Sequence, residues 1–263
     1  MILIGNAHWS EAYGVRNRLI FGDFKFWRGP FGPVKVSPLR DKIITAMTSG
    51  DIWVNRSMME TEHSLEALIP FLQYYNRNVE IIPVLVPFTS WDQENLLSKD
   101  LVQVVSEIMK KRGWTLGKDI AILCSTDGQH YGDYGWSYYD FHPFGCDADG
   151  YKQSMNLDEM LVSKDLSGPL SVSGIHAMYG QLINENNITE YKVTWCGRFS
   201  VTFSANFATR LTLTMDNRTP EMCLLSHGSS LSDPWLPLKE KGMGITADAN
   251  LHHFVTYIAV GGE

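Results

Sequence analysis

The sequence lacks the features by which several broad classes of protein are first recognised. No apolar run reaches the ~18 residues of a membrane-spanning helix, and the four cysteines lie far apart, without a CxxC pair. A basic excess is also missing, since 22 Lys and Arg residues stand against 29 Asp and Glu residues and leave a net charge of −7. We therefore expect neither nucleic acid nor an anionic membrane as the main partner. Isolated cysteines are typical of free thiols in a reducing compartment, so we expect a cytoplasmic protein.

What the sequence does have is an alternation of apolar strands and amphipathic helices. With 263 residues, 44% of them hydrophobic, it is long enough to bury one sizeable core. Strands are predicted for residues 2–5, 80–87, 119–125, 190–195, 223–229 and 252–260, and helices for residues 38–47, 61–78, 90–112, 173–187 and 196–212. This order predicts a single three-layer α/β/α domain over residues 1–263 with a mostly parallel central sheet.

Four polar side chains follow the ends of three predicted strands. His8 comes after ILIG, Asp127 and His130 come after AILCS, and Cys196 comes after KVTW. In open α/β sheets, sites form beyond the carboxyl ends of the strands, so we expect these side chains to converge. Imidazole, carboxylate and thiol groups can bind a metal or move a proton.

Each of these residues also has a purely structural interpretation. His8 could pack beside Trp9, and Asp127 could serve only as a turn residue in Thr-Asp-Gly. His130 could lie in an exposed loop, and Cys196 could be a small buried apolar residue, as free cysteines commonly are. Only their convergence at strand ends favours the functional interpretation.

Acidic and imidazole groups also cluster at the start of the helix predicted for residues 61–78. Glu62, His63 and Glu66 suit a helix N-terminus, where negative charge is stabilising and Thr61 could cap. A carboxylate can instead orient a metal-bound histidine. We expect a mixture of the two, with Glu62 and His63 near the site.

The segment GWSYYDFHPFGC is an aromatic loop. Its rings, among them Trp136, Tyr138 and Tyr139, could cover an aromatic or peptide substrate, because ligand pockets are mostly apolar with few polar groups. His142 and Cys146 lie in the same segment and are interpreted as part of this lid and not as metal ligands.

Taken in order, the blocks ILIGNAHW, TEHSLEALIPFLQY, EIIPVLV, CSTDGQHYG, SYYD and TWCGRF resemble the Memo family, also called AmmeMemoRadiSam system protein B. That family carries an EHS-x-E helix start with L-P-F/Y, then IIPVLV, an SSD-x-x-H-[WY]-G segment and a C-G-R element. ILIGNAHW is similar to a family strand that ends in G-P-S-H-H. The order and spacing of the blocks match over nearly the whole chain.

The resemblance implies a fold similar to the class III extradiol dioxygenases, with two histidines and a cysteine around iron or copper. Carried over by motif, His8 matches the second metal histidine and Cys196 the metal cysteine. Asp127 and His130 match a neighbouring acid/base pair, and Arg198 stands in the C-G-R element. Two imidazoles and a thiolate suit Fe(II), Cu or Zn, and the resemblance favours Fe(II) or Cu over Zn.

One departure from the family pattern concerns the first metal histidine. In the family it lies in a P-H-A-G-Y segment upstream of the G-P-S-H-H strand, and this sequence contains no such segment. We therefore expect ILIG to be the family's second strand and the domain to lack the N-terminal strand segment, through a shortened sequence or a real loss. Asp127 or His130 could make up the number of ligands.

The resemblance also implies a function. It indicates a metal-binding, oxygen-using or redox enzyme, or an accessory to one, acting with radical-SAM and AMMECR-type proteins in a modification pathway on a small molecule or peptide. His130 would act as general base, with Asp127 orienting it or taking the proton itself. Ring cleavage is not carried over, because a cysteine replaces the carboxylate ligand of extradiol enzymes. The alternatives are a non-catalytic peptide- or protein-binding module with a vestigial pocket and a zinc hydrolase.

Overall fold

A computed structural model describes residues 1–47, 51–136, 139–232 and 249–262 of the chain. The strands are β1 Ile2–Asn6, β2 Leu19–Phe21, β3 Phe26–Gly29, β4 Gly32–Val36, β5 Ile52–Val54, β6 Glu80–Val86, β7 Ile122–Ser125, β8 His130–Trp136, β9 Tyr139–Phe141, β10 Gly168–Pro169, β11 Glu221–Ser229 and β12 Phe254–Gly262. The helices are α1 Leu39–Ala46, α2 Arg56–Thr61, α3 Ile69–Tyr75, α4 Trp91–Arg112, α5 Ala148–Asp165, α6 Val172–Leu182 and α7 Arg198–Asp216, with a 3₁₀ turn at Glu66–Leu68.

The central sheet is mostly parallel, as the sequence predicts. Over the described residues it has seven strands, in the order β3-β4-β6-β1-β7, with β2 paired to β5 and β6. The pairs β1–β6, β1–β7, β4–β6 and β2–β5 are parallel, whereas β2–β6 and β3–β4 are antiparallel. The mixed α/β class is thereby confirmed.

Strand β1 lies inside this sheet, with all five of its residues buried. Because side chains alternate along a strand, Ile2 and Ile4 belong to a core cluster that includes residues of α1, α4 and α7. Leu3 belongs to the opposite cluster, beside Met58 of α2 and Ile69 of α3. Helices therefore cover both faces of the sheet, and the polar residues that follow β1 are held at its carboxyl edge.

Helix α4 begins and ends where the sequence predicts. Ser90 occupies the N-cap, and Gly113 ends the helix with a left-handed φ of 65°. Its last turn carries Lys110, Lys111 and Arg112, as the helix dipole favours.

A second sheet was not predicted. Within the described residues it has five strands in the order β10-β11-β12-β8-β9, and its strand pairs are antiparallel. The late apolar segments thus form β11 and β12, which pair with each other and do not extend the parallel sheet. Strand β11 is largely exposed, which suits an antiparallel sheet with one open face.

Two predicted elements are wrong. Residues 190–195 form no strand; Tyr191 and Trp195 make isolated bridges to Ile183 and Gln129. The single helix predicted for residues 61–78 is broken into the end of α2, the 3₁₀ turn and α3.

The break has a local cause. A carboxylate oxygen of Glu62 accepts hydrogen bonds from the N–H groups of His63 at 2.9 Å and Ser64 at 3.0 Å. Side-chain acceptors of this kind compete with helical hydrogen bonding, and the chain re-enters a helix only near Pro70.

Helix α5 was missed from the sequence. Its first residues, ADG, have turn composition, and its start is capped by the Asp147 side chain, which accepts a hydrogen bond from the N–H of Gly150 at 2.8 Å. An aspartate in this role is an N-cap.

Candidate metal and acid–base site

The four residues selected at strand ends come together in space. His8 lies two residues beyond β1, Asp127 two residues beyond β7, His130 at the start of β8, and Cys196 two residues before α7. The Cys196 thiol takes hydrogen bonds from both His130 and His8, and His130 also contacts Asp127. Three separate segments of the chain therefore meet at one thiol.

His8 is held by Glu62 through two hydrogen bonds. Its ring Nδ1 donates to Oε1 of Glu62 at 2.8 Å, and its backbone N–H donates to Oε2 at 2.8 Å. The Glu62 side chain is only 1% exposed, against 25% for His8. Because Nδ1 is occupied, Nε2 is the ring nitrogen left for a thiol or a metal ion.

The Glu62 carboxylate also accepts the two N–H groups that interrupt the helix. Burial by itself raises the pKa of Glu62, but the hydrogen bond from His8 and those from backbone N–H groups outweigh it and lower the pKa. Glu62 is therefore an ionised, buried carboxylate that fixes the orientation of His8.

On the other side of the site, Asp127, His130 and Cys196 form a compact group. One donor atom from each lies within 4.8 Å of those of the other two. Nε2 of His130 is 3.4 Å from Oδ2 of Asp127, whose side chain is 49% exposed. The N–H of His130 donates to the carbonyl of Thr194, and the hydroxyl of Thr194 donates to the carbonyl of His130.

The site favours a thiolate between imidazolium groups when no metal is bound. Burial raises the pKa of the Cys196 thiol, but hydrogen bonds from His130 and His8 outweigh it and lower the pKa to about 6. Burial lowers the pKa of both histidines, yet hydrogen bonds to Cys196 and to the neighbouring carboxylate raise it to about 10 for His8 and about 9 for His130. The hydrogen bond from His130 lowers the pKa of Asp127.

Thr126 is a further residue of this site that sequence reasoning missed. Its Oγ1 lies 3.7 Å from Sγ of Cys196 and accepts a hydrogen bond from the N–H of Gly197 at 2.8 Å. A Cβ at Gly197 would collide with the Thr126 side chain, so glycine permits the start of α7 to approach the end of β7. Thr126 also follows β7 directly, so the strand-end rule could have included it.

A small cavity of about 50 Å³ adjoins His8 and Cys196. Its lining includes Arg198, which is 1% exposed and has its guanidinium 3.5 Å from the centre of the Tyr191 ring. A cavity of this size has room for one or a few water molecules, or for a few atoms of a small ligand. Arg198 and Cys196 therefore line the same small cavity, and the guanidinium brings a buried positive charge to it.

The remaining predicted site residues lie in different places, and of the two on the segment after α2 only His63 contacts the site. The exposed ring of His63 stacks on that of His8, with centroids 4.5 Å apart. Glu66 is exposed on the 3₁₀ turn. Of the aromatic lid, Trp136 ends β8 and Tyr139 begins β9, whereas Tyr138 lies outside the described residues.

The donor set fits a transition-metal ion. Nε2 of His8, a ring nitrogen of His130 and the Cys196 thiolate are soft or borderline ligands, the kinds that select iron, copper or zinc over magnesium or calcium. The carboxylate of Glu62 on Nδ1 of His8 is the arrangement that usually supports a metal-bound histidine. Because metal ligands must lose their protons, a metal ion would compete here with the protons that the imidazoles hold.

Among the helices that the structure describes, none is both long and apolar enough to cross a membrane.

Comparison with known proteins gives a family match. A family model described as Memo-like protein matches residues 1–230. A MEMO1 family protein of Methanothermobacter thermautotrophicus is 33% identical over 106 residues, which is 40% of this chain and 35% of the relative. MEMO1 family proteins of Thermococcus kodakarensis and Pyrococcus furiosus are 31% and 29% identical over 123 and 128 residues, in each case 47% of this chain and 39% of the relative. The alignments thus cover well under half the length of these relatives.

Proposed function

This chain belongs to the Memo-like protein family, and from that premise we propose that it is a metal-binding protein with an oxygen-using or redox role, acting as an enzyme or as an accessory to one. The observation that supports this most strongly is the line of contacts from Glu62 through His8 to Cys196. A buried carboxylate on one nitrogen of an imidazole, with a thiol at the other, is an economical way to build a metal site.

We assign His8 and Cys196 as metal ligands and His130 as the residue that completes a set of three. Two ligands from the protein would be fewer than an open catalytic site usually has. His130 already contacts the Cys196 thiol in the same cluster. The ligand types suit iron, copper and zinc alike, and the family resemblance makes Fe(II) or Cu the expected ion, with Zn less favoured.

A bound iron or copper ion would supply Lewis-acid and redox chemistry at the strand ends. The surrounding residues would perform the remaining tasks. Glu62 would keep the His8 ring in one orientation, and the half-exposed Asp127 would exchange protons with solvent or with a substrate. The buried guanidinium of Arg198 would favour negative charge in the adjoining small cavity.

Elemental analysis of the purified protein tests this proposal. We expect near-stoichiometric iron or copper in the wild-type protein and its loss in a His8→Ala, Cys196→Ala double variant. Cys124→Ser is the matched control, because burial raises the pKa of the Cys124 thiol to about 11 and it should remain protonated and unliganded.

Three outcomes are distinguishable in this experiment. Zinc in place of iron or copper, together with no oxygen uptake in a separate measurement, would favour the alternative that the protein is a zinc hydrolase. A wild-type protein that folds normally yet binds none of these metals would contradict the proposal and favour a peptide- or protein-binding module with a vestigial pocket. Unaltered metal content in the double variant would place the metal elsewhere.

A further inference from the structure

A cavity of about 810 Å³ lies between the two sheets. It is lined by Ile122, Leu123 and Cys124 of β7, by residues of β12 between Ile258 and Gly262, and by one side of α7. The two sheets meet at one end of it, where the N–H of Gly128 donates to the carbonyl of Thr256 and the N–H of Thr256 donates to the carbonyl of Gln129. From this junction β7 and β12 diverge, so the cavity is a gap between two strands.

The β7 side of the gap is an open sheet edge. The N–H of Ile2 donates to the carbonyl of Ala121, and the register pairs Ile2 with Ile122. In a parallel ladder this directs the backbone groups of Leu123 and Ser125 toward β1 and those of Ile122 and Cys124 away from it. In the part of the chain that the structure describes, no strand pairs with that second edge.

The β12 side is open as well. Strand β8 pairs with β12 only at Phe254 and Val255. The backbone groups of the next residue, Thr256, form the junction hydrogen bonds with Gly128 and Gln129. Since hydrogen-bonding groups alternate along an antiparallel strand, those of Ile258 and Val260 face the gap. Two rows of peptide groups without ladder partners among the described residues therefore lie on opposite sides of one cavity.

Neither edge has the devices that usually prevent strand addition. Exposed edges are normally protected by charged residues, prolines or bulges, and the sequences of β7 (ILCS) and of the open part of β12 (YIAVGG) contain no charged residue and no proline. The floor of the gap is formed by small side chains of α7, including Ser204, Ala205 and Ala208. These features suit an extended backbone better than a compact apolar molecule, which could not satisfy two rows of peptide groups.

We propose that the gap between β7 and β12 binds one further β-strand, contributed by an extended, uncharged peptide segment of about six residues. The strand runs parallel to β7 and antiparallel to β12, and so joins the two sheets into one. This is strand addition by main-chain hydrogen bonds, with small apolar side chains directed onto α7.

The direction of this strand places its carboxyl end at the candidate site. Strand β7 leads from Ile122 to Ser125 and then directly into Thr126 and Asp127, which line the cavity next to the junction at Gly128. A peptide parallel to β7 therefore ends beside Asp127. The proposal does not depend on whether a metal is bound there.

Amide hydrogen exchange, followed residue by residue by NMR, tests the proposal on the whole chain. The probe is a fluorescein-labelled peptide of alternating Val and Ala with a flexible Ser-Gly tail. On binding, the amides of Ile122, Cys124, Ile258 and Val260 should become protected, whereas Leu123, which already donates to β1, should change little. The control peptide has Pro at alternate positions, which removes the N–H donors.

Two variants separate strand addition from simple filling of the cavity. Ala208→Trp should fill the floor of the gap and weaken peptide binding about tenfold or more, whereas Ala177→Trp, on the exposed side of α6, should not. Ile122→Pro removes one outward N–H and no N–H donor of the β1 ladder, and it should also weaken binding. Fluorescence polarisation of the labelled peptide measures both effects.

Several results would overturn the proposal. These are absence of peptide binding in a correctly folded wild-type protein, equal binding of the proline-containing peptide, or protection at sites away from β7 and β12. Binding of the apolar dye ANS in the gap without binding of the peptide would assign the cavity to a small molecule, and concentration-dependent dimers blocked by Ala208→Trp would assign it to a second copy of this chain.

Discussion

Two histidines contact the same thiol, but the protein holds them in different ways. Nδ1 of His8 lies 2.8 Å from a carboxylate that is 1% exposed, whereas Nε2 of His130 lies 3.4 Å from a carboxylate that is 49% exposed. Glu62 is also tied to the backbone, while Asp127 follows a strand end at the surface. The difference makes His8 the more firmly held ring, whereas the carboxylate partner of His130 is open to solvent.

The largest effect is expected from removing the buried carboxylate. Glu62→Ala leaves the Nδ1 group of His8 and three backbone N–H groups without their acceptor. Breaking a buried, hydrogen-bonded ion pair costs about 3–5 kcal/mol, and we expect a loss of that order in the free energy of unfolding measured with urea.

Glu66→Ala is the matched control for this change. It removes an exposed carboxylate from the following turn, and surface substitutions usually change stability by no more than about 0.5 kcal/mol. If the two variants were equally stable, the anchoring role of Glu62 would be refuted.

The next effect concerns the acidity of the thiol. In metal-free protein, the difference in ultraviolet absorbance between wild type and Cys196→Ser should report a thiolate that forms with a midpoint near the pKa of about 6. Since hydrogen bonds from the histidines lower this pKa, both His130→Ala and His8→Ala should raise it. The shift should be larger for His130→Ala, whose hydrogen bond has the greater effect on the thiol. A larger shift in the pKa of Cys196 for His8→Ala than for His130→Ala would contradict this expectation.

A smaller effect is expected from the exposed carboxylate. Asp127→Asn removes a charge that is half in solvent, and exposed pairs contribute about 0.2–1 kcal/mol. Stability should therefore change by less than about 1 kcal/mol, while the pKa of His130 falls because a partner that raises it is lost. NMR titration of the His130 ring measures the second effect, and an unchanged pKa would contradict the pairing.

The smallest effect is expected from the stacked histidine. His63 is exposed and contacts the His8 ring face to face, so His63→Ala should alter stability by no more than about 0.5 kcal/mol and leave the metal content unchanged. A loss of metal in this variant would show that His63, and not only Glu62, positions His8.

The sequence predicts the components of the site better than their arrangement. Strand β1 followed by His8 and strand β7 followed by Asp127 and His130 bear out the strand-end rule, because parallel strands end at a common edge. Cys196 was selected behind a predicted strand that does not form, and it reaches the site from the segment before α7. Local pattern could not show that Glu62 contacts His8, because the two residues are 54 positions apart. The contact also depends on a break in a helix that the apolar periodicity predicts as continuous. Thr126 was not predicted for a simpler reason: hydroxyl side chains are common in loops, and their presence does not by itself indicate a metal or acid–base site.

The second sheet also lay beyond what local pattern shows. Strand β12 has the same apolar composition as a buried parallel strand, and only its partners make it antiparallel. In the segment 190–195, β-favouring residues form no ladder, because the chain is held there by isolated contacts such as the hydrogen bond from Nε1 of Trp195 to Asp158 at 2.8 Å. Tertiary contacts decide such cases.

The central claim is that His8, His130 and Cys196 bind one metal ion, with His8 the more firmly held ligand. Titration of metal-free protein with Co²⁺ tests this directly, because a thiolate ligand produces a sulfur-to-metal charge-transfer band. We predict saturation at one equivalent, loss of the band in Cys196→Ser, retention in Cys124→Ser, and roughly 10–100-fold weaker binding in Glu62→Gln, with a smaller loss in Asp127→Asn. A band that persists in Cys196→Ser, or no Co²⁺ binding by folded wild-type protein, would contradict the account.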